Sequence, residues 1–223
     1  MIKLKSNSEK PFLVIWGASG HAMVVADIVR LQGIYTIVGF LDNLNPDRHG
    51  TAFYGASVLG GEEQLGSLLD KGVRHILLGF GDCKMRLDMT LALQSQGFIL
   101  PVAVHPQAIV AKDVVLGPGT IIAGGAVVNP GARVGASVII NTSASVDHEC
   151  LIGAAAHIGP GVHLAGRVVI GHATQIGIGA TVVDRIRIGE RVLIGAGAVV
   201  VSDIPDNVVA YGIPARIKRW KDQ

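Results

Sequence analysis

The 223-residue sequence predicts two architectures in series: a small Rossmann-like parallel α/β domain over residues 1–105, then a parallel β-helix over residues 106–223. Three observations carry this reading. The first hundred residues alternate short apolar runs with segments of helical periodicity. The second half abandons that grammar for a strict six-residue period. The composition combines 30 glycines and a Val/Ile-rich apolar content with only 4% aromatics, which points to many tight turns between short aliphatic strands.

In the first half, FLVIWG (12–17) is an apolar run ending in glycine, as expected of a buried parallel strand. HAMVVADIVRLQG (21–33) has helical spacing and stops at Gly33. IVGFLD (37–42) is a second strand, 61–71 a helix and HILLGF (75–80) a third strand. Residues 83–97 form another helix, and FILPVAV (98–104) is expected as the last strand of the sheet.

In the second half, every sixth residue from Val110 to Val200 is Val, Ile or Leu, sixteen positions without a break. A β-sandwich has period two and does not produce this. Three short strands per coil do: each aliphatic points inward and stacks on its equivalent 18 residues later, with coils roughly 4.8 Å apart. The unbroken register excludes a long inserted loop, and SDIPDNVVAYGIPARIKRW is expected to cap the open coil.

Composition also excludes several functions. Nineteen basic residues against 17 acidic ones, with no basic block, argue against nucleic-acid binding. No apolar run approaches the roughly 18 residues of a membrane span, and MIKLKSNSEK lacks the apolar core of a signal peptide. Cys83 and Cys150 have no metal-type spacing, so no metal is expected, and they read as reduced thiols of a cytoplasmic protein.

Several residues stand where chemistry could occur. His148 falls at a corner, two places after inward Val146, flanked by Asp147 and Glu149; a carboxylate beside an imidazole orients it and raises its basicity. A solvated corner histidine is the plain alternative. Gly166 lies one coil beyond His148 and should stack on it, offering a bare backbone N–H or simply a glycine needed for positive φ. His157 lies half a coil from His148, too far to share a site within one chain; without another chain it is a surface rung. His163 and His172 are read as structural or solvent-facing at other corners. Ile178 and Ala196, 18 residues apart, are neighbours on one face. Cys150 falls in the inward small-residue stripe and reads as a packing thiol, not an acyl carrier. Gly17-Ala18-Ser19-Gly20-His21 joins strand to helix and suits a phosphate at the helix N-terminus, with Asp42 at the end of the second strand; alone, this weakly supports a dinucleotide site.

The repeat resembles the hexapeptide-repeat acyltransferases, whose β-helix is left-handed. GASGHAMVVAD, FLD, NTSASVDHECLIG and GIPAR together resemble the sialic-acid O-acetyltransferase/nucleotide-sugar N-acetyltransferase family over nearly the whole chain. Its members include bacterial N-acetyltransferases of nucleotide-linked 4-amino-4,6-dideoxy sugars. The resemblance implies that His148 is the general base, that Glu149 raises its basicity and that Gly166 stabilises the oxyanion. It implies acetyl-CoA as co-substrate, contacted by His157, Ile178, Ala196 and Arg216. Ser19, Gly20, His21, Asp42, Asn43 and Gly81 would line the nucleotide-sugar site, although Asn43 and Gly81-Asp82 depart from the family's usual residues there. The expected assembly is a homotrimer with sites between chains. Two rival readings remain: O-acetylation of sialic acid or a related sugar, and a non-catalytic NAD-binding or scaffold trimer.

Overall fold

The computed structural model describes residues 10–220; residues 1–9 and 221–223, which the expected domain ranges include, lie outside the described residues. The first half builds β1 (Phe12–Trp16), α1 (Gly20–Gln32), β2 (Thr36–Leu41), β3 (Ala52–Phe53), β4 (Ala56–Gly60), α2 (Leu65–Asp70), β5 (His75–Leu78) and α3 (Cys83–Ser95). The strands form one sheet in the order β3-β4-β2-β1-β5, parallel except for the short β3/β4 hairpin. That hairpin has no counterpart in the sequence reading. Its first strand is only two residues long, and Tyr54-Gly55 makes the turn with both residues at positive φ.

The segment 98–104 does not close this sheet. Ile99 makes a lone bridge to His75 at the sheet edge, whereas Ala103–Val104 pairs with Ile121–Ile122 and forms the first rung of the β-helix. Pro101 sits between the two and cannot donate to a ladder, so the run is broken there.

From Ala103 on, two-residue strands at an 18-residue stride build three parallel ladders of six, six and five rungs; Val208–Gly212 extends the first in parallel, and Ala215–Trp220 pairs antiparallel with that strand. Sheet I contains Ile139–Ile140, His157–Ile158 and Gln175–Ile176; sheet II contains Ser145–Val146 and His163–Leu164; sheet III contains Leu151–Ile152 and Val169–Ile170. The second residue of each rung points inward, and these aliphatics form one continuous buried column with Cys150 among them. His163 is therefore an outward strand residue on sheet II and not a corner residue; its Nδ1 lies 2.8 Å from Ser145 Oγ.

The corners repeat as regularly as the rungs. At the corner between sheets II and III, Gly131, Glu149, Arg167 and Arg185 all adopt the left-handed conformation. Each of the last three donates its N–H to a carbonyl of the preceding coil: Glu149 to Pro130, Arg167 to His148 and Arg185 to Gly166. These bonds offset the roughly 1–2 kcal/mol cost of left-handed backbone at a residue bearing Cβ. They also fix the directions in which the corner side chains leave the coil.

The α/β half is seated on sheet I. Ala22, Val25, Ala26 and Val29 of α1 share one buried cluster with Leu13, Ile15 and Phe40 of its own sheet and with Ala103, Ile121 and Ala123 of the β-helix. Ile121 is 1% exposed, and burying a side chain of this kind contributes about 1.5–3 kcal/mol. The outward residues of sheet I are thus covered over its first coils, and His157 stands at the edge of that cover.

Candidate active site

The corner at 147–150 organises His148. Asp147 Oδ1 accepts from the His148 N–H at 2.7 Å and from Asn129 Nδ2 at 2.8 Å, and both bonds hold its carboxyl below the ordinary range. Glu149 Oε2 lies 3.0 Å from His148 Nδ1. It also accepts from Arg167 Nε at 2.9 Å. The hydrogen bond from His148, then the bond and charge of Arg167, lower the Glu149 pKa, so Glu149 stays an acceptor-only carboxylate. Facing that acceptor, Nδ1 of the imidazole carries a hydrogen, and in the neutral ring this leaves the lone pair on Nε2. The side chain is half exposed, so Nε2 is accessible to a reacting group. Arg167 was not singled out from the sequence, yet it lies 18 residues after Glu149, the stride that stacks corner on corner.

Gly166 stacks under the imidazole. A Cβ there would lie 2.5 Å from His148 Nε2 and 2.6 Å from Cε1. Positive φ is not the reason for glycine at this position, because the left-handed residue of that corner is Arg167, with φ 61°. The missing side chain is what makes room for the ring.

His157 is no surface rung. Its ring centroid is 6.3 Å from that of His21, and its Nε2 accepts from Asn141 Nδ2 at 3.2 Å. The Gly81 backbone flanks the ring. Burial, then the Arg86 charge, push the His157 pKa down to about 4. Burial, then the neighbouring His157 and Arg86, bring His21 to about 4 as well. Both rings are therefore neutral near pH 7. Among the described residues, neither His21 Nε2 nor His157 Nδ1 has a well-aligned hydrogen-bond partner, and both atoms are buried. The six-residue period identified His157 as outward-facing but could not reveal what covers it.

A separate cleft of about 410 Å³ opens at the carboxyl ends of β1, β2 and β5, where ligands bind in open parallel sheets. Ser19, Asp42 and Asn43 line it, over an apolar wall that includes Trp16, Leu41, Met85 and Met89. Gly17 adopts φ +124°, and a Cβ there would meet the Gly79 carbonyl at 2.8 Å; glycine thus lets β1 and β5 close up beneath the loop. Gly20 opens α1 with clear space beside it. Asp42 is 6% exposed and its carboxylate is occupied internally. Oδ1 accepts from Leu44 N and Asn45 N, Oδ2 accepts from Asn45 Nδ2, and Arg48 lies 3.7 Å away. Arg48 also donates to the Ala18 carbonyl, tying the two cleft loops together. Asn43 is occupied as well, accepting from Glu62 N at 2.9 Å. His21 and Gly81 belong to the seam around His157 and not to the cleft lining.

Ile178 and Ala196 are exposed on consecutive coils at the corner between sheets I and II, Ile178 at 59%. Arg216 is exposed on the C-terminal strand Ala215–Trp220, opposite Tyr211. Cys150 is fully buried, donates to the Ala165 carbonyl at 3.2 Å, and burial pushes its pKa up to about 11, so it carries no acyl group. Among the described residues, no helix is long and apolar enough to cross a membrane, and no cluster of His, Cys, Asp and Glu could hold a metal.

Comparison with known proteins gives two family-model matches: the PglD N-terminal domain over residues 12–92 and the bacterial transferase hexapeptide (six repeats) over residues 167–202. No curated protein matches. Among solved structures, PerB from Caulobacter crescentus, in complex with CoA and GDP-perosamine, is 39% identical, with a TM-score of 0.88 over 93% of this chain and 97% of that one. The chain belongs to the sialic-acid O-acetyltransferase/nucleotide-sugar N-acetyltransferase family of hexapeptide-repeat acyltransferases. The acetyltransferase domain of PglB from Neisseria gonorrhoeae, also solved with acetyl coenzyme A, is 38% identical, with a TM-score of 0.88 over 94% of this chain and all of that one. WeeI from Acinetobacter baumannii, 23% identical with a TM-score of 0.81, shares the fold. In this member of the acyltransferase family, His148 and His157 stand on different sides of the coil, one at the corner between sheets II and III and the other on sheet I.

Proposed function

We propose that the chain is an acetyl-CoA-dependent N-acetyltransferase acting on the 4-amino group of a nucleotide-linked 4-amino-4,6-dideoxy sugar. The observation that carries this reading is the Arg167–Glu149–His148 arrangement, in which Glu149 holds Nδ1 and Nε2 faces Gly166 at an open corner. The matched PerB structure holds CoA and GDP-perosamine, and a PglB structure holds acetyl coenzyme A, which supports the two substrates.

In the reaction, the sugar amine attacks the thioester carbonyl carbon and forms the C–N bond. His148 Nε2 takes the amine proton, and the Gly166 N–H supports the oxyanion. The C–S bond then breaks, and the imidazolium returns the proton to the departing CoA sulfur. No acyl-enzyme forms. The nucleotide end occupies the cleft by Ser19, Gly20, Asp42 and Asn43, while His21 and Gly81 adjoin the sugar. Acetyl-CoA runs along His157, Ile178 and Ala196, with Arg216 near its phosphates. Because His148 and His157 occupy different sides of one coil, the working unit is a homotrimer in which neighbouring chains complete each site. The protein acts in the cytoplasm.

The test is release of free CoA on two acceptors. An amino-sugar nucleotide should be acetylated, and sialic acid should not. Turnover on sialic acid alone would select O-acetylation, and binding of NAD without acetyl transfer would select the non-catalytic reading.

A further inference from the structure

Arg86 lies on the first turns of α3, yet it is 1% exposed. Its guanidinium reaches five backbone carbonyls. Two belong to the loop after β5: Nη1 donates to Gly81 O at 2.6 Å and to Phe80 O at 3.4 Å. Three belong to the β-helix: Nε donates to Ser137 O at 3.1 Å, and Nη2 to Ala155 O at 2.8 Å and Ala156 O at 3.2 Å. Ser137 and Ala155 are the same left-handed corner position on consecutive coils, so the fork spans two rungs.

Among the described residues no carboxylate forms an ion pair with Arg86; burying a charge among carbonyls alone is costly, and a simple packing role would be met by an apolar side chain. The placement of the carbonyls suggests what the charge does. Ala156 immediately precedes His157, and Gly81 flanks the His157 ring. We infer that Arg86 is a positioning residue: it clamps the loop that covers His157 and the rung that bears it, and so holds the nucleotide-binding half in register with the acetyl-CoA half. Lysine cannot reproduce this, because one ammonium lacks the planar fork that reaches both sides. The same charge faces His21 and His157, with Asp82, Cys83 and Asn141 as the other polar neighbours, and it helps keep both rings neutral.

The inference rests on the acetyl-transfer reading above for its kinetic arm only. In Arg86→Met, kcat should fall about 10–100-fold while the KM of each substrate changes less than about threefold, as expected of lost register between reactants. The imidazoles of His21 and His157, followed by NMR and assigned with His21→Asn and His157→Asn, should titrate at higher pH in Arg86→Met. In Arg86→Lys their midpoints should stay low while kcat still falls. Thr90→Val is the seam control: Thr90 Oγ1, one turn along α3, lies 2.5 Å from Ser137 Oγ, and this variant should keep kcat within about threefold. Wild-type kcat in Arg86→Met, unchanged imidazole titrations, or an equal loss in Thr90→Val would overturn the proposal. If Arg86→Met fails to fold, wild-type kcat in Arg86→Lys would overturn it. Should the wild-type protein transfer no acetyl group, the function reading fails, and the imidazole titrations still decide the role of Arg86.

Discussion

Replacing Gly166 with alanine tests the His148 site without touching the imidazole itself. The new Cβ would sit 2.5 Å from Nε2, 2.6 Å from Cε1 and 3.1 Å from Cδ2 of His148. Carbon contacts settle at about 3.5–4.0 Å, so the ring must retreat by about 1 Å. Half-exposed, it has room to do so, but only by bending or breaking the 3.0 Å bond to Glu149. A misplacement of about 1 Å costs on the order of 10²-fold in rate, so kcat should fall by about that factor. Stability should change by less than about 1 kcal/mol, since Gly166 has no positive φ for alanine to strain. The assay is steady-state CoA release by Gly166→Ala, His148→Ala and the double variant, with melting temperature as the folding control. The double variant should be no worse than His148→Ala, giving a coupling of about 2–3 kcal/mol. Wild-type turnover in Gly166→Ala, or additive losses in the double variant, would mean that Gly166 does not act through the position of the His148 ring.

Three further outcomes follow from the same geometry. His21 and His157 titrate near 4 in the folded protein against about 6.5 unfolded, so the unfolded chain binds more protons below pH 6.5 and stability should fall as pH drops from 6.5 towards 4, by up to about 3 kcal/mol per imidazole; melting scans should show this, and His21→Asn with His157→Asn should flatten the dependence. Asp42→Ala should raise the KM of the nucleotide sugar about tenfold or more and leave that of acetyl-CoA unchanged, because it releases the 42–48 loop, and Asp42→Asn, which keeps an acceptor for Leu44 N, should be milder; weakened acetyl-CoA binding alone would reverse the assignment of the two sites. Mixing inactive His148→Ala and His157→Asn chains after reversible dissociation should restore part of the activity, and no recovery despite demonstrated subunit exchange would count against shared sites.

The β-helix was legible because each sixth position from Val110 to Val200 is filled by one chemical type, and the stride of 18 alone places His148 over Gly166. The same stride would have revealed Arg167 beside Glu149. The strand at 98–104 misled because its apolar content satisfies two different sheets, and only Pro101 marks the division. Asp42 was readable as a strand-end acid, but its Asx-type bonds to Leu44 and Asn45 depend on how the following loop turns. Burial of His157 and Arg86 was not legible at all. Periodicity says which residues face outward, and the seating of α1 and α3 on sheet I decides which of those meet solvent.

The role proposed for His148, aimed by Glu149, is that of base for acetyl transfer to a sugar amine. The most direct measurement compares wild-type protein and His148→Asn for CoA release on a nucleotide-linked 4-amino sugar, with acetyl-CoA binding measured in parallel. The wild type should give an N-acetylated product, and the variant a kcat lower by about 10²–10⁴ with acetyl-CoA affinity unchanged. Near wild-type turnover by His148→Asn would contradict it.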